Sequence, residues 1–271
     1  MSFNDYEHSV QDGLPVEFYL FEHGSNSWRY TSADHDITFN GQLWIAAAIT
    51  CPGISSGGSE GLELTVPSDL PVVMLYRGTP PSTSVKLRVL RKHADAVSDA
   101  ESRTVWIGTI TEVKREGYNS ARIITASAAS TFSRNGLRLG WTRACPHSLY
   151  DSNCTVSRAV WAVNGLNITA LNGAEITVSI PGSYASGWFS GGLIAWENDG
   201  LTERRGLKTH SGNVIGVLGG TIGLSVGMTV SLWPGCDRTL AVCEKKFRNQ
   251  LNYGGVPHMP GISPYEIVKL F

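Results

Sequence analysis

Four of the chain's five cysteines fall in two close pairs, and no other feature limits its fold as much. Cys145 and Cys154, in "RACPHSLYDSNC", are separated by eight residues, and Cys236 and Cys243, in "PGCDRTLAVCEKKF", by six. About eighty residues lie between the pairs. If both pairs meet at one centre, that segment must leave a point and return to it as a loop closed at its base. A shared metal site would close it.

The compartment narrows the readings. The opening "MSFNDYEHSVQDG" carries neither the basic segment nor the apolar run of a secretory signal. "LWIAAAIT", the longest apolar stretch, is far short of the ~20 residues a bilayer requires. Folding in a reducing cytoplasm is therefore expected, where lasting disulfides are uncommon. A formal charge of −1 provides no electrostatic reason to expect nucleic acid or an anionic membrane as partner.

Strand signals dominate the chain. In "PVEFYLF", Val16, Phe18 and Leu20 alternate with Glu17, Tyr19 and Phe21. Asn40-Gly41, between apolar runs, is a strong hairpin signal because both turn residues tolerate positive φ. Leu62, Leu64 and Val66 share one face, as do Val85, Leu87 and Val89, with Lys86 and Arg88 turned to water. A further hairpin is expected around Glu116-Gly117. Residues 1–135 thus read as an N-terminal antiparallel β barrel or sandwich. Residues 136–271 read as a cysteine-rich metal-binding region bracketing a second small β module at about 162–234. That module includes the alternation of Ile176, Val178 and Ile180 and a hairpin around Asp199-Gly200. "VSRAVWAV" suggests a short helical turn, and Asp237 an N-cap for a short helix holding Cys243. The Gly- and Pro-rich tail from Asn252 reads as an ordered loop.

By spacing alone the cysteines admit structural zinc, an iron–sulfur cluster, or disulfides and unrelated thiols. Gaps of eight and six are wide for zinc, whose knuckles use two to four residues. A tetranuclear cluster on four thiolates carries about two net negative charges. Arg143, Arg238, Lys245, Lys246 and Arg248 stand near enough in sequence to offset it, though the lysines also suit a solvated helix face. His147 is a minor ligand candidate. His258 reads as a loop packing residue, "ERRG" at 203–206 as an exposed hairpin end, and Cys51 as a core thiol. Paired carboxylates, a nucleophile elbow, a phosphate loop and a zinc-protease helix are all missing from the sequence, so no enzyme is expected.

At "CPHSLYDSNC" and "GCDRTLAVCEKKFRNQLNYGGVPHMPG" the sequence resembles the tail tip proteins of long-tailed bacteriophages, including the C-terminal cysteine domain of the lambda tail tip protein L. "WRYTSADHDITFNGQLWIAAAI" resembles the N-terminal pattern of gene-transfer-agent hub proteins, so the likeness spans nearly the whole chain. Two departures from the lambda pattern stand out: the inserted β module, and Asn249-Gln250 where a small residue is usual beside the asparagine. Neither is expected to touch a ligand. The resemblance implies a [4Fe–4S] cluster on Cys145, Cys154, Cys236 and Cys243, with zinc as the alternative. It implies a structural hub at the distal end of a siphophage-like tail, forming part of the tip plug. Its partners would be the distal tail protein, the central fibre or receptor-binding protein and other tail tip proteins. Three copies would surround the tail axis, with no membrane contact at rest and DNA contact only during ejection. The rival readings are a zinc-stabilised module of a tail-like or secretion machine, and an iron–sulfur redox enzyme.

Overall fold

The structure is a computed structural model of the 271-residue chain and describes residues 3–9, 13–54, 61–94, 101–133, 136 and 140–260. It divides into two compact units, Met1–Arg134 and Asn135–Phe271. The expected boundary at residue 135 and the end of the tail, 261–271, lie outside the described residues.

The first unit runs α1 (Phe3–His8), β1 (Pro15–His23), β2 (Asn26–Thr31), β3 (Ile37–Phe39), β4 (Gln42–Ala46), β5 (Glu63–Pro67), α2 (Pro71–Met74), β6 (Lys86–His93), β7 (Arg103–Glu116) and β8 (Ser120–Ser127). Its strands form one eight-stranded sheet in the order β3-β4-β2-β1-β6-β7-β8-β5. Every neighbour pair is antiparallel except β2 with β4. Asn40 and Gly41 turn β3 into β4 at φ of 49° and 71°, the conformation the sequence pattern requires. The hairpin at Glu116-Gly117 forms as well, with Glu116 opposite Ser120.

Leu62, Leu64, Val66, Val85, Leu87 and Val89 are all buried in one core with Tyr19, Phe21 and Ile123, while Lys86 and Arg88 are exposed. Strand β1 is covered on both faces. Tyr19 and Phe21 enter that core, whereas Phe18, flanked by Val16 and Leu20, packs against Phe39 and Trp44. Two buried faces explain why "PVEFYLF" carries apolar side chains in both phases of its alternation. The two end strands, β3 and β5, do not pair with each other. Ala46 instead sits in register with Thr31 of β2, and Thr50 bridges to Thr65 of β5. Four residues, about 14 Å of chain at most, therefore link β2 to β5 and curl the sheet around its core.

The second unit contains β9 (Val163–Asn172), β10 (Glu175–Val178), β11 (Leu193–Asn198), β12 (Leu201–Ser211), β13 (Val214–Val217), β14 (Thr229–Trp233) and α3 (Leu240–Lys245). Its six strands close into a barrel, β10-β13-β12-β11-β14-β9, which leaves no open edge. Leu166, Ile168, Ile176, Val178, Ile194, Leu207, Ile215, Val230 and Leu232 fill it. The Asp199-Gly200 hairpin joins β11 to β12. "ERRG" is not a hairpin end. It lies inside the eleven-residue β12, where Glu203 is buried and Arg205 stacks 4.9 Å from the Trp196 ring and donates to the Gly220 carbonyl at 2.8 Å. Residues 158–161 form turns rather than the expected helical turn. Among the described residues no helix is long and apolar enough to cross a membrane.

Candidate metal centre

The first cysteine segment is folded around one carboxylate. Asp151 Oδ2 accepts the amide of Ser148 at 3.0 Å, and Oδ1 accepts those of Asn153 and Cys154 at 3.0 and 2.6 Å. Aspartate makes such short-range side-chain to backbone turns readily. The Cys154 amide above all, opposed only by slight burial, holds the Asp151 carboxyl below its ordinary range. The carboxylate thereby fixes where Cys154 points.

The second segment leaves β14 and crosses the barrel wall with backbone on backbone. A Cβ at Gly235 would lie 1.8 Å from the Ser190 carbonyl oxygen and 2.5 Å from Gly191. A Cβ at Gly192 would lie 2.0 Å from the Trp233 carbonyl oxygen. Only glycine permits this approach, and it sets Cys236 directly above Gly191. Helix α3 follows, carrying Cys243 on its buried side. Its N-cap is Thr239, whose Oγ1 accepts from the Val242 amide at 3.3 Å. The expected cap, Asp237, stands too far ahead of Leu240 to reach the first turn. It accepts from the amide and hydroxyl of Thr239 instead, at 2.9 and 2.7 Å.

The two segments meet through the backbone. The Cys145 amide donates to the Arg238 carbonyl at 2.9 Å, and the Tyr253 hydroxyl lies 2.7 and 3.1 Å from the carbonyl oxygens of Arg143 and Arg238. As a result Cys145, Cys154, Cys236 and Cys243 all line one cavity of about 260 Å³, together with His147. None of the four is in a disulfide. Cys243 is buried and the other three are half-buried. Burial first, then the neighbouring Cys236, Cys145 and Cys154, pushes the Cys243 thiol up to about 11. Burial also raises Cys236, against the Arg238 amide that donates to its Sγ at 3.3 Å. Ligation here would have to expel protons from thiols and offset the mutual repulsion of thiolates.

No group of three or more His, Cys, Asp or Glu side chains among the described residues is arranged to hold a metal ion. A single zinc would need four ligands converging at about 2.0–2.3 Å. The four cysteines line one cavity, and four thiols are a donor set that suits either structural zinc or an iron–sulfur cluster.

Lys245 is exposed, whereas Lys246 is half-buried, 4.4 Å above the Trp188 ring, and donates to the carbonyls of Trp188 and Gly235. Burial pulls its ammonium down to about 8, opposed by Cys236 and Asp237. The expected basic helix face thus separates into one solvated lysine and one anchored one. Phe247 packs edge-on to Trp161 at 5.0 Å and to Tyr150 at 6.4 Å, and Trp188 packs on the barrel core. Cys51 packs against the core of the first unit, and His258 is exposed rather than packed.

Asn249 corrects the sequence reading most sharply, because it does touch the cysteines. Its side-chain amide donates to the Cys154 carbonyl, its own carbonyl accepts from Cys243 Sγ at 3.2 Å, and its amide donates to the Cys243 carbonyl at 2.9 Å. Its Oδ1 also accepts from Asn252 at 2.7 Å. Asn249→Ala is expected to cost about 1–3 kcal/mol through the lost side-chain bonds. Urea unfolding of the second unit, compared between wild type and Asn249→Ala, would measure the loss. Sequence reading also passed over Asp151, Tyr253 and the glycines 191, 192 and 235. The traces they leave are faint: an aspartate three residues before a cysteine, and glycines beside the second pair.

A chain from the virion of a native gene transfer agent particle has the same fold, with a TM-score of 0.75 at 16% identity over 98% of this chain and 94% of that one. The two chains share one fold over nearly their whole lengths. The family described as phage conserved hypothetical protein BR0599 matches residues 187–262, a span that includes β11 to β14 and the second cysteine pair. Both findings support the phage tail-type resemblance read from the sequence. The PlzA protein of Borreliella burgdorferi in complex with c-di-GMP aligns at a TM-score of only 0.21 and 12% identity, over 93% of this chain and 98% of that one, and carries no argument. No curated protein matches the sequence significantly.

Proposed function

We propose that this chain is a structural tail tip hub of a siphophage-like particle, joining the distal tail ring to the central fibre or receptor-binding assembly. One observation carries the reading. In a chain with the fold of a virion component, four free thiols from segments about eighty residues apart line one cavity beside a closed barrel. Cys145, Cys154, Cys236 and Cys243 would hold a [4Fe–4S] cluster there, and metal–thiolate bonding would add its free energy to folding. The residues around the cavity do the remainder. Asp151 and Asn249 orient the first pair, Thr239 and Gly235 the second, and the aromatic wall couples both to the barrel. The assembled site acts as a clasp. Three copies about the tail axis would satisfy the closed symmetry of a tube.

Two measurements test the proposal. Protein purified without oxygen should be brown, absorb broadly near ~400 nm, and carry iron with acid-labile sulfide. Stoichiometric zinc without iron, in protein from iron-replete cells, would favour the zinc-stabilised module instead. Antibody labelling of intact particles should mark the distal end of the tail. Label along the shaft or on the head would end the hub reading even with iron present.

A further inference from the structure

We infer that His147 is a positioning residue for the cluster, donating a hydrogen bond from Nδ1 to a cluster-bound sulfur; this rests on the iron–sulfur reading above. Three observations carry it. His147 lines the same cavity as the four cysteines. Its Nδ1 is buried and has no hydrogen-bond partner in the protein. Its ring is held in place, since a Cβ on Gly254 would lie 2.2 Å from Nε2, 2.7 Å from Cε1 and 2.8 Å from Cδ2.

Buried polar atoms without partners are rare in folded proteins, and each one calls for an explanation. Here the protein supplies no acceptor, while the cavity beside the ring is lined by four sulfurs. What fills the cavity is the natural partner. A cluster offers both thiolate and inorganic sulfide, and each accepts a hydrogen bond. Gly254 determines the ring's stance, because any side chain at that position would displace it. The "YGGVP" segment, which begins 106 residues after His147, thus acts on the centre through one imidazole.

Hydrogen bonds to sulfur stabilise the more negative, reduced state and raise the reduction potential. The test compares wild type, His147→Leu and His147→Asn, the last because its amide nitrogen falls near the position of Nδ1. Iron and sulfide content, the reduction midpoint, and nitrogen hyperfine coupling in the reduced state are measured on the full chain. His147→Leu should retain iron, move the midpoint to more negative values and lose the histidine coupling. His147→Asn should move the midpoint back toward wild type. Iron retained with an unchanged midpoint in His147→Leu would overturn the inference and leave the cluster reading intact. Loss of iron in both variants, with barrel circular dichroism unaltered, would overturn it in favour of direct ligation. Wild-type protein without iron would fail the cluster reading itself.

Discussion

Cys243→Ser should strip the iron completely and loosen the second unit, and so should the same change at Cys145, Cys154 or Cys236. All four thiols line one cavity, so the loss of one leaves the segments that carry the others without the shared tie. Hydrogen exchange should quicken across 143–156 and 236–255, while β9 to β14, which bury an independent core, remain protected. Cys51→Ser should leave the iron in place, because Cys51 packs in the first unit. If Cys51→Ser lost iron while Cys243→Ser retained it, the ligand assignment would be wrong.

Gly235→Ala is expected to be as damaging without touching a thiol. The added methyl would sit 1.8 Å from a backbone oxygen and 2.5 Å from two further backbone atoms, none of which can rotate away. Either the crossing of 190–192 under 234–236 opens or the strand end shifts. In both cases Cys236 moves off the cavity. The cost should reach about 3 kcal/mol or more, at the upper end of overpacking effects. Urea unfolding of the second unit would read it, together with iron content after anaerobic purification. A control at the exposed Gly212, where an added Cβ meets nothing within 4 Å, separates collision from backbone strain, since both variants change glycine in this unit and Gly212 has φ of 57°. A Gly235→Ala protein as stable as wild type, with full iron, would show that the crossing yields.

Local signals carried far where the physics is local. Asn40-Gly41 and Asp199-Gly200 are hairpins because both residues of such a turn need positive φ, and few residue types accept it. Leu62, Leu64 and Val66 are buried because a pleat alternates its faces whatever lies beyond it. Failures came where a residue's surroundings arrive from elsewhere in the chain. Phe18 and Phe21 lie on opposite faces of β1, but only the packing of Phe39 and Trp44 buries both faces. "ERRG" has the composition of a loop, yet pairing with β11 and the Trp196 ring make it part of a barrel strand. Asp237 and Thr239 are both good caps by type, and the start of α3 at Leu240 decided between them.

The centre divides in the same way. Two cysteine pairs can be counted in the sequence, and their chemistry as thiols is a property of residue type. Whether they face one cavity depends on chain closure over about eighty residues, which the six-stranded barrel performs and no short motif encodes. Asn249, Asp151, Tyr253 and Gly254 shape that cavity through hydrogen bonds and contacts, and several of these join residues about a hundred positions apart. The sequence alone thus determined strands, turns and the reactive side chains, since these depend on each residue and its near neighbours. Tertiary structure alone decided which thiols share a space, which glycines must remain bare and which imidazole nitrogen is left without a partner, because each is a matter of distance between segments remote in the chain.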